Sequence, residues 1–310
     1  MAKKMLALAG TALLVLPLAL FLRTYSPSPL PEPAPLLDVL PAAMPPEKMA
    51  VFQLPAGIIH RSAAAAYRGG SYFDKREFST TAVLVKHPRG DLLIDTGFGR
   101  NIDAHFKLLP LPLRLITSYS RLLPVADRLT AARYDRKQLR AIILTHAHWD
   151  HVSGVPDLPD TPVWVTAEER RYIMNDRGPA SAVVRSLLNV NYKEYGFEGG
   201  AFLGFARSHD VYGDGAVVIV PAPGHTPGSV IVFLALPSGK RYALVGDLVW
   251  QREGIVAREE KPWLTRTAVD LDPAGVRTSM LRMAAIAARF PALIIVPAHD
   301  ARGFADMPQL

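Results

Sequence analysis

Residues 146–151 read His-Ala-His-Trp-Asp-His, so four side chains able to bind a metal ion fall within six positions. The aliphatic and β-branched run Ala141–Thr145 stands directly before them, and Val152-Ser153-Gly154 directly after. This reads as a strand running out into a loop at its C-terminal end. Side chains two apart in an extended segment point the same way, so His146 and His148 can grip one ion from one side. Asp150 and His151 can then serve a second ion beside it. A packed core has no use for such a cluster, because polar groups buried without partners are costly.

Composition narrows the chemistry. The 310 residues include no cysteine. Disulfide scaffolds, iron–sulfur clusters, thiolate zinc sites and cysteine nucleophiles are thereby excluded, and any metal must be held by His, Asp or Glu. With 49% hydrophobic residues the chain can fill a sizeable core, which excludes disorder of the whole. The net charge is +7, but the basic residues are scattered singly, so no nucleic-acid partner is expected.

Other strands are expected at Thr81–Lys86 and Asp91–Asp95, joined by the turn His87-Pro88-Arg89-Gly90, and at Pro162–Val165, Ala216–Val220, Ser229–Leu234, Arg241–Val245 and Leu293–Val296. Thr166 can cap a helix over Ala167–Asn175. Asp272-Pro273 opens another, whose Val276, Met280, Met283, Ala287 and Phe290 recur at helical spacing. Three of the strands end on further candidate ligands: His225 in the Pro- and Gly-flanked loop after Val220, Asp247 after Val245, and His299 after Val296. Asp247, a carboxylate at a sheet edge, suits the bridging of two cations. Strand groups with helices between them predict a layered α/β or α+β architecture.

At the N-terminus, Lys3 and Lys4 precede the apolar run Met5–Leu22, and no small-x-small cleavage site follows. We read residues 1–25 as a signal anchor, with a cleaved signal peptide as the alternative. By the positive-inside rule the rest of the chain crosses the membrane, which in a bacterium places an inner-membrane protein's domain in the periplasm. Residues 26–47 carry eight prolines and read as an extended linker that spaces a folded domain, 48–310, from the membrane. A second apolar stretch, Phe106–Val125, is expected as a helical hairpin on the core, or else as a lid or membrane-facing surface.

The set Asp95-Thr96-Gly97, His146/His148/Asp150/His151, His225, Asp247 and His299 resembles the metallo-β-lactamase superfamily. The resemblance implies an α+β fold, a four-layer αββα sandwich with a binuclear site at one edge. It assigns His146, His148 and His225 to one metal, Asp150, His151 and His299 to the other, Asp247 to a bridge, and Asp95 to orienting a ligand. The implied cofactors are two divalent ions, zinc first, with manganese, iron or cobalt as alternatives. A bridging hydroxide would attack an ester- or lactone-type small molecule while Asp150 shuttles the proton. Asp247 sets the chain apart from the true β-lactamases, and His148 from the flavodiiron oxidoreductases. All seven ligands are similar to those of N-acyl-homoserine-lactone lactonases and glyoxalase II-like thioesterases, and Ala298-His299-Asp300 resembles the lactonase ending. Trp250 stands where those lactonases carry tyrosine. The alternatives are a thioesterase, a phosphodiesterase or a mononuclear iron persulfide-type dioxygenase. His60, His87, His105 and His209 match no motif and read as surface residues.

Overall fold

Strands whose side chains are apolar on both faces must be covered on both sides. In the computed structural model, which describes residues 19–310, three separate clusters of buried side chains do this. One sheet has seven strands in the order β4-β1-β2-β3-β5-β6-β7. In chain order these are β1 (Ala50–Ser62), β2 (Lys75–Lys86), β3 (Asp91–Ile94), β4 (Ser118–Arg121), β5 (Leu139–Ile143), β6 (Val163–Thr166) and β7 (Tyr192–Tyr195). The other has five in the order β12-β11-β10-β9-β8, namely β8 (His209–Asp210), β9 (Val217–Pro221), β10 (Val230–Ala235), β11 (Arg241–Gly246) and β12 (Leu293–Pro297).

The two-residue period of the strands sorts their side chains into layers. Val83, Val85, Leu92, Ile94, Ala141 and Ile143 of the first sheet meet Val217, Ile219, Val230, Val232 and Leu244 of the second. The alternate residues Leu84, Leu93 and Ile142 face outward, under the helices α5 (Val125–Ala131), α7 (Ala167–Asn175) and α8 (Ala182–Ser186). On the far side Val218, Val220, Ile231 and Phe233 lie under α11 (Pro273–Arg289), which buries Val276, Met280, Met283 and Ile286. The layers are helix, sheet, sheet, helix. Thr166 caps α7 by accepting from the Glu169 N–H at 3.1 Å, as its position at the predicted helix start implies.

Three expectations need correction. The stretch Phe106–Val125 is not a helical hairpin. It comprises the end of α3 (Ile102–Lys107), the short α4 (Leu111–Ile116) and edge strand β4 on β1, because Pro110 and Pro112 interrupt any long helix and Thr117–Ser120 favours extension. His87 and His105 are buried rather than superficial: His87 stacks on Tyr212 and bonds Asp214 at 3.2 Å, and His105 bonds Ser153 at 2.9 Å. The proline-rich stretch is extended, but it runs along the domain instead of standing clear of it. The Leu30 N–H donates to Arg258 O at 2.8 Å, Met44 N–H to Asp214 O at 2.7 Å, and the Arg241 guanidinium to Pro41 O at 2.9 Å.

Of the run read as an anchor, residues 5–18 lie outside the described residues, and residues 19–22 open the helix α1, described over residues 19–25. Among the described residues no helix is long and apolar enough to cross a membrane.

Candidate metal centre

Every candidate ligand lies in the segment that follows the C-terminal end of a strand, Asp150 and His151 in a single helical turn, Trp149–Val152. His146, His148, Asp150 and His151 follow β5, His225 follows β9, Asp247 follows β11, and His299 follows β12; Asp95 directly follows β3. Backbone torsions set the loops at the required angles. Asp95 has φ +58° and Gly246, next to Asp247, has φ +54°, in the left-handed region that a residue with a side chain enters only under strain. A Cβ on Gly246 would stand 3.0 Å from the Thr145 side chain, so glycine permits the two sheets to approach at the site.

All seven candidate ligands are buried and brought together. His146, His148 and His225 form one trio whose ligand atoms lie within 4.8 Å of one another, and Asp150, His151 and His299 form another. Asp247 stands between them: its Oδ1 is 3.3 Å from His151 Nε2 and 3.2 Å from His299 Nε2, and its Oδ2 is 3.4 Å from His225 Nε2. These His/Asp clusters are consistent with a site for two metal ions.

The far sides of three of the rings are held at Nδ1. Nδ1 of His151 is 2.8 Å from Asp95, that of His225 is 2.7 Å from Asp270, and that of His299 is 2.8 Å from the Ser79 carbonyl. A ring that donates from Nδ1 presents the lone pair of Nε2 to the centre, which is how carboxylate partners orient metal-binding histidines. Asp95 also accepts from the Thr145 amide and hydroxyl, each at 2.7 Å, and so fixes the start of the ligand loop.

The donor set fits two cations. Nε2 of His146 and of His151 and Oδ1 of Asp247 are buried without any hydrogen-bond partner, and all three face the centre. Burial draws the His146 and His148 rings well below the usual histidine range, which keeps them neutral and able to ligate. Burial also draws down His151 and His299, but Asp247 together with Asp95 for His151 and Asp150 for His299 outweighs it and holds both rings above the usual range. The carboxylates thus create a demand for positive charge at the centre, which divalent ions can meet.

Three supporting residues carry no local pattern in the sequence. Glu169, on α7, accepts from the Ala147 and Gly228 amides at 2.6 and 3.0 Å and from the Thr226 hydroxyl at 2.7 Å, tying the His146–His151 loop to the His225 loop. Burial pushes its carboxyl up to about 7 although all three donors oppose the shift. Asp270 is sandwiched between His225 and the buried Lys261 ammonium, 2.8 Å away. Lys261 in turn donates to Asp247 O at 2.8 Å. Trp250 aims its indole N–H at Asp247 Oδ2, 2.8 Å away, and not into open space as a substrate donor would.

A cavity of about 380 Å³ opens onto the centre. Asp150, Asp247, His148, His225 and His299 form its floor, and Ile59, Phe78, Leu113, Ile116, Trp149 and Trp250 are among its walls. Among the described residues Arg61 is the only Lys or Arg in its lining, and it is already engaged, donating to Ile116 O and to the Thr117 hydroxyl at 2.8 and 2.6 Å.

The fold and this site define a class. The profile of the metallo-beta-lactamase superfamily matches residues 76–299, and the chain belongs to that family. Its relatives include a probable metallo-hydrolase of Mycobacterium tuberculosis, 30% identical over 237 residues, covering 70% of this chain and 73% of that protein. They also include the N-acyl homoserine lactonase AttM of Agrobacterium fabrum, 23% identical over 180 residues, 54% of this chain and 64% of that protein. Among solved structures, an N-acyl homoserine lactone hydrolase with N-hexanoyl-L-homoserine at its catalytic metal centre superposes with a TM-score of 0.65 at 18% identity, over 84% of this chain and 96% of that one. The chain is a metallo-β-lactamase-fold metallo-hydrolase.

Proposed function

We propose that this protein hydrolyses carboxylic esters or lactones that carry an apolar acyl or alkyl group, using two divalent ions, zinc first, held by His146, His148, Asp150, His151, His225, Asp247 and His299. The observation that carries the reading is the cavity: apolar walls lead to a floor made of the candidate ligands. Bound there, the ions would supply a water activated at neutral pH and a positive charge facing the substrate carbonyl. The walls would hold the acyl group so that the carbonyl lies over the floor. Asp150, on that floor and 3.3 Å from His299 Nε2, would take up the proton and return it to the leaving alkoxide. With Arg61 engaged by the chain itself, the walls offer no free cation to a phosphodiester among the described residues, which favours a substrate uncharged at its reacting end.

The test is a turnover screen of the zinc-, manganese- and cobalt-loaded full chain on lactones, aryl esters, thioesters and bis-phosphodiesters. Esters or lactones should turn over, with kcat/KM rising about two- to fourfold per added methylene until the cavity is filled. Asp150→Ala should lower kcat by about 10²–10⁴. Turnover of no class, or an Asp150→Ala variant equal to the wild type, would contradict the reading. The same proposal keeps Met5–Leu22 as the membrane anchor and the domain on the periplasmic side; recovery of the full-length chain from the soluble cytoplasm on fractionation would refute that part.

A further inference from the structure

The helices α4 and α10 (Trp263–Val269) flank the cavity mouth, and neither buries a single residue. Leu113 of α4 and Val269 of α10, both half-buried, turn toward the cavity; Ile116 and Ala268 line its rim and are themselves exposed, and Leu111, Leu115, Trp263 and Leu264 stand in the open, Leu115 being 77% exposed. On both helices the exposed positions recur in the same spacing, 111, 112, 115 and 116 on one and 263, 264, 267 and 268 on the other. Each therefore turns one face outward, largely apolar on α4 and led by Trp263 and Leu264 on α10.

The apolar surface continues toward the N-terminus. Arg61 holds the end of α4 against the end of β1, where Ser62 pairs with Lys75 of β2. The loop between these strands projects Tyr72 and Phe73, and Phe73 is 95% exposed. Tyr72 packs on Phe21 and Tyr25 of α1 with ring centroids 5.8 and 5.1 Å apart. Gly69 N–H bonds Tyr25 O at 2.7 Å, so α1 is fastened to this loop. On α1, Leu20, Phe21 and Leu22 are exposed as well. Lys75 and Lys107, both exposed, border the surface.

Apolar exposure on this scale marks an interaction surface. What covers it is indicated by the chain leading into it. The run Met5–Leu22 has eighteen residues, enough as a helix for about 27 Å of hydrocarbon, and it enters the described structure at α1 beside Tyr72. The proline-rich stretch lies along the domain and does not hold it away. We propose that the face formed by α4, α10 and the Tyr72–Phe73 loop docks on an anionic bilayer, seating the cavity mouth at the lipid surface, with Trp263, Leu115 and Phe73 in the interfacial layer. Docking stands whatever ester the metal centre hydrolyses.

The test is fluorescence of the full chain reconstituted in phosphatidylethanolamine–phosphatidylglycerol vesicles, with and without bromine on the acyl chains. Comparison with Trp263→Phe isolates the Trp263 emission from that of Trp149, Trp164 and Trp250. Docking predicts loss of most of the Trp263 emission in brominated vesicles, and its return when Phe73→Asp and Leu115→Asp are combined. An anchor alone leaves Trp263 outside the acyl region. Trp263 emission unchanged by bromine in the wild type overturns the proposal, as it would if a second copy of the chain or residues 5–18 covered the face instead.

Discussion

The site depends on a few buried groups whose removal has distinct consequences. Asp270 is the only oriented partner of the His225 Nδ1, and Lys261 supplies its counter-charge. Asp270→Asn keeps the volume but weakens that hold, and is expected to lower affinity for the ion at His146, His148 and His225 by about 10–100-fold, read by chelator competition. Gly228 is a steric requirement. A Cβ there would stand 2.3 Å from both Glu169 N and Thr166 Oγ1, at the junction of the α7 cap and the His225 loop. Gly228→Ala should cost about 2–3 kcal/mol in urea unfolding. The candidate ligands were legible as a cluster because four of them crowd into six residues and the others stand near Gly or Pro at strand ends. Glu169, Asp270 and Lys261 were not, since each is a lone charged residue whose meaning arises only when distant segments meet.

Among the elements, the strands announced themselves as aliphatic runs, and the predicted Arg241–Val245 and Leu293–Val296 lie within β11 and β12. The long β1 was hidden. Pro55 and Gly57 interrupt its pattern, and its register slips between Pro55 and Ile58, so no period-two signal spans the thirteen residues. The α4 stretch was legible as apolar, and a lid was one of the roles expected for it; that it lines the cavity together with α10, far away in sequence, shows only in the fold. Leu113→Ser should therefore raise KM for long-chain esters while leaving short-chain esters nearly unchanged, a difference of about 1–3 kcal/mol in kcat/KM. Glu253, on α9 (Glu253–Val256), bonds Arg302 at 2.8 Å and Arg76 at 3.3 Å. Burial pushes its carboxyl up, but the two guanidinium groups outweigh this and hold it at about 2. A depressed carboxyl stabilises the fold above its unfolded pKa and loses that contribution as pH falls from about 4.5 to 2. For this partly exposed group about 1–2 kcal/mol is expected, and Glu253→Gln should flatten that part of the acid-unfolding curve.

In the whole molecule, two sheets and their helices converge on one edge where all seven candidate ligands gather, and no sheet alone carries a complete set: His146, His148, Asp150 and His151 come from the first, and His225, Asp247 and His299 from the second. Binding there should hold the two sheets together, so chelation should lower the melting temperature of the full chain and zinc should restore it. The four-layer architecture was inferred from motif resemblance more than from the strand runs, which do not reveal which strands share a sheet. One buried centre is expected to hold two ions. Elemental analysis of the zinc-loaded, dialysed full chain counts them. Two zinc ions per folded chain, with one lost in His151→Ala, is the result expected; one ion or none per folded wild-type chain would contradict it.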